Sequence, residues 1–384
     1  MKKRTLVPGQ KALRALRKST VLLSLLSLWS LPAAASSGTE GASFLDIPVG
    51  AEPAAMGSAY SALATNAYAP VWNPGGLGFL ANNEMAGQHL SYLGSIHYEY
   101  LSFVHPFDDR RGSLTHRGIG VSAQYLGSGD MVRTEIDPNN QPLDNGVFSS
   151  HYASYNVSYG QTVNEKIALG LTGKWINAKI DEVSANAYAA DLGVLYHASD
   201  KLSLASTLTN MGSKLKFLEE GDSLPLAFHL GAAFQPNTQW QVTMEGVYRR
   251  AGPTSFHAGG QWRPIETVSL RVGYKTDTLK GLSAVAGLTT GIGIHVWGQE
   301  LAYAWSPYGE LGNAQYVSLL IRFGEREQAR RNLIQYQTIK KQRIVKNEDA
   351  REVEPEYQQL MELLSDHEHV AQTNPSQLLP AFNQ

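Results

Sequence analysis

The chain has 384 residues, of which 32 are Lys or Arg and 34 are Asp or Glu, so 17% are charged, against roughly 25% in an ordinary soluble domain. Membrane helices do not explain the deficit: mean hydropathy is −0.24, and the longest nearly apolar run, 21–31, is 11 residues where a spanning helix needs roughly 20. The 36 Gly, 18 Tyr, 11 Phe and 7 Trp argue against disorder. The absence of cysteine excludes a disulfide scaffold, thiolate metal sites, a Cys nucleophile and a lipid-modified N-terminal Cys.

Residues 1–35 read as a secretory signal peptide. Lys2, Lys3, Arg4, Lys11, Arg14, Arg17 and Lys18 stand without an acidic neighbour, the apolar run 21–31 follows, and Ala33-Ala34-Ala35 supplies the small-residue cleavage end. Removing those seven charges leaves 25 basic against 34 acidic residues, a net charge of −9. An exported acidic chain is a poor nucleic-acid binder, and that partner class is set aside. Residues 36–82 are rich in Ala and Gly, and Asn73-Pro74-Gly75-Gly76 is a turn sequence able to reverse the chain.

From residue 83 the apolar residues recur with period two. Val268, Leu270, Val272 and Tyr274 alternate with Ser269, Arg271, Gly273 and Lys275. Trp240, Val242, Met244 and Tyr248 oppose Gln241, Thr243, Glu245 and Arg249; Tyr188, Leu192, Val194 and Tyr196 oppose Ala189, Asp191, Gly193 and His197. Ile167, Leu169, Leu171 and Trp175 oppose Ala168, Gly170, Thr172 and Lys174. About 14 such segments, each near the ten residues a tilted strand needs to cross a bilayer, are predicted at 83–93, 96–107, 117–126, 150–162, 166–180, 185–198, 201–211, 224–235, 238–249, 254–264, 267–276, 281–290, 293–305 and 314–323. Tight turns at 164–165, 199–200, 236–237 and 265–266 alternate with long polar stretches at 127–149, 212–223 and 306–313. Short turns at one end and long loops at the other are the mark of an outer-membrane barrel. Trp175, Tyr188, Tyr196, Phe228, Phe234, Trp240, Tyr248, Tyr274 and Phe323 fall where two interfacial girdles would lie.

The polar side chains opposite the apolar stripes are expected to face the lumen: Lys174, Asp191, Glu245, Arg249, Arg271, Lys275 and Arg322. Turned to lipid, Lys or Arg near the midplane would cost about 2–4 kcal/mol each.

Three stretches carry a family resemblance. Ala54-Ala55-Met56-Gly57-Ser58-Ala59-Tyr60 leads to Val71-Trp72-Asn73-Pro74-Gly75-Gly76-Leu77. Lys174-Trp175-Ile176-Asn177-Ala178-Lys179-Ile180-Asp181 precedes Ala190-Asp191-Leu192-Gly193, and Tyr303-Ala304-Trp305-Ser306-Pro307-Tyr308-Gly309-Glu310-Leu311-Gly312-Asn313 enters the last strand. Over residues 43–323 the chain resembles the PorV/PorQ family of outer-membrane barrels, related in fold to the FadL fatty-acid transporters. Asn66 stands where that family commonly has an acidic residue, and Gly75 where Ala is common. The resemblance implies that residues 36–82 fold into the lumen as a plug carrying the motif Trp72, Asn73, Pro74, Gly75 and Gly76. It implies two roles, which stay open here: assisting protein secretion or surface attachment, as in type IX secretion, with secreted cargo or secretion-system proteins as partners; or FadL-like passage of a hydrophobic, fatty-acid-like ligand.

The last strand ends in Phe323, which looks like the terminal signal read by barrel-assembly machinery. The 61 residues of 324–384 then carry 18 charged side chains. Residues 324–346 hold seven basic and two acidic residues, and 347–368 one and eight. This extension lies outside the resemblance and reads as a helical periplasmic tail with a partner of its own.

No catalytic constellation, cofactor motif or metal site is expected. Gly118-Ile119-Gly120 and Gly291-Ile292-Gly293 lack a strand–turn–helix context. Asp137-Pro138-Asn139-Asn140 and Asp144-Asn145-Gly146 miss the calcium-loop spacing. His367 and His369 have no further ligands near in sequence, and His89, His97, His151 and His229 are scattered.

The expectation is therefore an all-β membrane protein: signal peptide 1–35, plug 36–82, a 14-stranded antiparallel outer-membrane barrel 83–323 in contact with outer-membrane lipid, and a charged periplasmic tail 324–384. The protein should fractionate with the outer membrane and shift in gel mobility on heating; a chain that stays soluble without detergent would contradict this reading.

Overall fold

The structure is a computed structural model, and residues 40–108, 115–137, 140–277 and 284–323 are described. The expected signal peptide and the expected tail lie outside the described residues. Eighteen strands are present among the described residues: β1 (Asn83–Ser91), β2 (His97–Asp108), β3 (His116–Gly127), β4 (Met131–Ile136), β5 (Pro142–Phe148), β6 (Ser150–Asn164), β7 (Ile167–Ile180), β8 (Val183–Ser199), β9 (Leu202–Gly212), β10 (Lys214–Lys216), β11 (Gly221–Ser223), β12 (Ala227–Phe234), β13 (Trp240–Arg249), β14 (Ser255–Ile265), β15 (Val268–Lys275), β16 (Leu288–Val296), β17 (Gln299–Pro307) and β18 (Asn313–Phe323).

Fourteen of these close into one antiparallel barrel; β4–β5 and β10–β11 are separate two-stranded pairs. The seam joins β1 to β18, with Asn83 opposite Phe323 and Ser91 opposite Gln315. A closed ring is what the sequence demands, because in hydrocarbon no strand edge finds a hydrogen-bond partner. Period-two patterning sets which way each side chain points. In β15, Leu270, Val272 and Tyr274 are exposed on the outside, while Ser269, Arg271 and Lys275 are buried within.

The outer aromatics gather in rows. Phe103 stacks on Phe323 at 6.0 Å and Trp240 on Trp262 at 5.8 Å near the short turns. Towards the other end Tyr155 stacks on Trp175 at 5.4 Å, and Tyr188 is the cross-strand partner of Trp175. Phe228 is half-buried, unlike its expected companions in the girdle.

Two expectations are corrected. The segments 281–290 and 293–305 are wrongly divided: β16 runs Leu288–Val296, and the reversal falls at Trp297-Gly298. Both turn residues have left-handed backbone, φ 53° and 81°, as a two-residue hairpin turn requires. Trp297 carries no turn signal, so the alternation runs through it unbroken. The long stretches 127–149 and 212–223 are also not featureless loops, since each holds a strand pair. At that same end β7 and β8 are joined by Asp181 and Glu182 alone, so the asymmetry of the two ends is not uniform.

Residues 40–82 lie against the inner face of the wall in four short helical pieces: Ser43–Asp46, Ala51–Ala55, Ala69–Trp72 and Pro74–Phe79. Close approach of this segment requires glycine in the wall. A Cβ on Gly170 would lie 2.1 Å from the Pro74 carbonyl carbon, and one on Gly273 would lie 2.0 Å from the Gly57 nitrogen. Gly173, on the outer face of the same strand as Gly170, has no atom within 4 Å of such a Cβ. Gly170→Ala should lower stability in detergent by about 1–3 kcal/mol, the usual cost of overpacking, and speed proteolysis within residues 40–82. Gly173→Ala should do neither; equal urea midpoints for the two variants would refute this account of the contact.

Candidate functional site

The candidate site is the interior between residues 40–82 and the wall, together with the rim above it. The inner segment has little regular structure, so its backbone N–H groups need partners elsewhere. Wall side chains supply them. Gly50 donates to Gln88, Ala51 to Ser318 Oγ at 3.1 Å, Gly57 to Thr289 Oγ1 at 3.1 Å, Ser61 to Glu245 Oε2 at 3.0 Å and Ala67 to Glu84 Oε2 at 2.9 Å.

The Trp72-to-Gly76 motif has a local physical reading. Trp72 Nε1 donates to the Val49 carbonyl at 2.8 Å, tying the two halves of the segment together. Asn73 is fully buried; its Oδ1 accepts from Gly75 N at 3.0 Å, and its Nδ2 donates to the carbonyls of Ser61 and Val194 at 3.0 and 3.1 Å. Pro74 opens the helical turn that follows, where its missing N–H costs nothing. Gly76 sits with no room for a Cβ, which would lie 1.6 Å from the Ala64 carbonyl oxygen, while at Gly75 it would meet Asn73 Oδ1 and the Gly193 carbonyl at a tight 3.0 Å.

All seven polar residues singled out on the strands face inward, and they form two groups rather than one line. Towards the short turns, Arg271 meets Glu300 at 2.6 Å and Glu52 of the inner segment at 3.4 Å, and Arg322 meets Glu84 at 3.1 Å. Tyr60 donates to Glu52 at 3.0 Å. Burial pushes the Glu52 carboxyl above its usual range, against the pull of Arg271. Towards the long loops, Lys174 pairs with Asp191 at 2.7 Å and donates to Asn210 at 2.7 Å. Arg249 reaches Asp46 and Asp277, each at 3.4 Å. Lys275 lies over the Tyr308 ring at 5.5 Å. Glu245 accepts from Ser61 and contacts His229 at 2.8 Å. Burial raises the Asp277 carboxyl, but Lys275, His257 and Arg249 outweigh it and hold the group below the usual range.

Glu52, Glu84 and Glu300 escaped the sequence reading. Glu84 and Glu300 share the inward parity of their strands and could have been found by it. Glu52 precedes Pro53 in a segment without period, and no sequence signal marks it.

Two clusters imitate catalytic triads and fail on geometry. Ser255 Oγ and Asp277 both approach the same His257 nitrogen, Nε2, at 3.1 and 3.5 Å, so no second nitrogen is left oriented as a relay. Ser269 Oγ lies 2.7 Å from His295 Nε2, but Glu300 is 3.8 Å from Nδ1, beyond hydrogen-bond range, and Ser269 is fully buried. No group of three or more metal-ligating side chains occurs among the described residues. Asp144 is occupied as a turn acceptor from Gly146 N, and Asp137 from Gln141 N. Pro138, Asn139, His367 and His369 lie outside the described residues. Gly118, Gly120, Gly291 and Gly293 are strand residues of β3 and β16.

Two cavities bear on function. One, of about 60 Å³, sits under residues 45–49 and is lined by Asp46, Arg249, His257, Lys275 and Asp277 among others. It has room for a few waters. The other, of about 420 Å³, opens at the long-loop rim between the β4–β5 hairpin and the β10–β11 loop. Phe148, Ile180, Val183, Phe217 and Leu218 line it, and the Arg133–Asp181 ion pair, 2.5 Å, closes one side.

No family model matches the chain, and no curated protein matches it in sequence. Solved structures do. Two crystal structures of the Pseudomonas putida toluene transporter TodX align with TM-scores of 0.52 and 0.50 at 15% and 14% identity, covering 72% and 71% of this chain and 99% and 96% of those chains. A Pseudomonas aeruginosa FadL homologue aligns at 0.47 and 11% identity over 71% of this chain and 98% of that one. At such identities the likeness is one of fold: the chain shares the fold of the TodX structures.

Proposed function

We propose that this protein is a non-enzymatic passage for a hydrophobic small molecule across the outer membrane. The observation that carries the proposal is the apolar cleft at the long-loop rim. Its volume falls within the 300–1,000 Å³ typical of small-molecule sites, and five of its seven lining residues, two Phe, Ile, Val and Leu, are apolar, with Arg133 and Asp181 paired to each other at one side. TodX is a toluene transporter, and a monoaromatic or alkyl chain is the chemistry this cleft suits. The roughly sevenfold smaller cavity under residues 45–49 cannot hold such a molecule. Onward movement therefore needs residues 45–49 to shift, a change held in check by the Asp46–Arg249 pair and the Trp72–Val49 hydrogen bond.

One observation favours the PorV/PorQ-like alternative, a surface that engages secreted or secretion-system proteins. The β4–β5 hairpin leaves Val132, Ile136, Leu143 and Val147 more than half exposed, with Val132 directly opposite Val147.

The two readings separate in a strain lacking the gene, assayed both for uptake of labelled toluene and a labelled long-chain fatty acid and for secreted surface proteins. Passage predicts lost uptake with normal secretion. Complementation with a Phe217→Glu, Leu218→Glu variant should leave uptake reduced on the order of tenfold, about 1.4 kcal/mol, a fraction of the full-burial value because Leu218 is 80% exposed. Normal uptake with lost surface proteins would overturn the proposal in favour of the alternative.

A further inference from the structure

The sequence holds a single Asn-Gly pair, Asn145-Gly146, and the fold sets it in a break of a strand ladder. Both residues are exposed and lie on β5, in the hairpin at the long-loop rim. The β4–β5 ladder pairs Val132 with Val147 and next Thr134 with Asp144. Asn145 and Gly146 fall between those pairs and face Arg133 alone, so two residues of one strand stand against one of the other. Such a bulge leaves its extra residue without a place in the ladder.

The surroundings of the bulge suit it to an intramolecular reaction. Gly146 has no side chain to shield its nitrogen, and a Cβ built there would meet no atom within 4 Å. Its φ of 87° is freely open to glycine. The Gly146 N–H donates to Asp144 Oδ1 at 3.0 Å, so the proton that must leave this nitrogen already faces a carboxylate. On the other side the Asn145 amide is oriented by its Nδ2, which donates to Glu135 Oε1 at 2.5 Å. Exposed Asn164 and Asn237 offer a contrast. They are followed by Glu165 and Thr238, and each Oδ1 is engaged as acceptor from two amides of its own turn.

We propose that Asn145 is a site of spontaneous deamidation in the folded protein. The Gly146 nitrogen attacks Asn145 Cγ and gives up its proton. The Cγ–Nδ2 bond breaks, and ammonia leaves with that proton. Water, the one co-reactant, then opens the cyclic imide at either carbonyl, giving aspartate or its β-linked isomer. Adjacency in the chain supplies the proximity that such a ring closure needs, and the ladder break supplies the freedom to reach the angle of attack. The inference does not depend on which reading of function holds.

The products alter the hairpin. The donor to Glu135 is lost, and a new carboxylate stands near those of Glu135 and Asp144, where like charges across a strand pair are unfavourable. The β-linked isomer also inserts an extra backbone atom between the Val132–Val147 and Thr134–Asp144 pairs.

The test ages the full chain in detergent micelles at neutral pH and follows the amide-to-acid mass change peptide by peptide, with synthetic peptides to separate the two products. Conversion should concentrate at Asn145, ahead of Asn164 and Asn237. Gly146→Val should slow it on the order of a hundredfold, the cost of displacing an attacking atom by about 1 Å. Asn145→Gln, which keeps the amide on a longer side chain, should show none at that position. Trypsin should cut aged wild type after Arg133 about two- to fivefold faster than fresh protein, the scale of one unfavourable cross-strand pair. Aged Asn145→Gln should be cut at its fresh rate, and all forms should keep the heat-dependent gel shift. Conversion at Asn145 no faster than at Asn164 and Asn237, or undiminished in Gly146→Val, would overturn the proposal. So would a chain that converts at Asn145 only when unfolded in urea.

Discussion

The constraint on which this structure depends is that no backbone N–H or C=O can remain unpaired in hydrocarbon. Its solution is the β1–β18 seam, where a nine-residue ladder from Asn83–Phe323 to Ser91–Gln315 joins the first barrel strand to the last. Closure removes the edges, and it divides every strand into an outward and an inward side chain. The outward set must be apolar or aromatic at membrane depth. The inward set is released from that demand and can be polar, charged or absent, and all three occur.

The same rule acts a second time inside. Residues 40–82 lack the regular hydrogen bonding of the wall, yet they are buried. Their amides are satisfied by side chains from four strands, namely Gln88 and Glu84, Ser318, Thr289, and Glu245. Wall glycines admit the backbone closely enough for those bonds to form. Ion pairs at this depth contribute little net stability once desolvation is subtracted. Their effect is positional: Glu52–Arg271 and Asp46–Arg249 each fix one point of the inner segment against one point of the wall.

Parity carried most of what the sequence disclosed. Lys174, Asp191, Glu245, Arg249, Arg271, Lys275 and Arg322 were assigned to the interior because each alternates with lipid-compatible neighbours, and period two leaves only two faces. Parity also held the key to Glu84 and Glu300. It could not show that Arg271 would bridge Glu52 and Glu300, because those residues are separated by more than 200 positions in the chain and meet only through the barrel's curvature. The Trp297-Gly298 turn escaped for the opposite reason, being local but unsignalled: a Trp in a left-handed conformation fits no turn preference. The hairpin within residues 127–149 was hidden by polar composition, since Asp, Asn and Pro dominate its tip while Val132, Ile136, Leu143 and Val147 are spaced too widely to stand out.

Sequence alone therefore determined the class of structure. Low charge, period-two alternation, strand length and turn spacing are local properties, and in a bilayer they admit a closed antiparallel barrel and little else. Only the tertiary structure decided what the interior and the rim contain. The two separate charge groups, the small cavity and the apolar cleft between two loops all join residues from different strands. Their distances are set by barrel closure and strand stagger, which no window along the chain encodes.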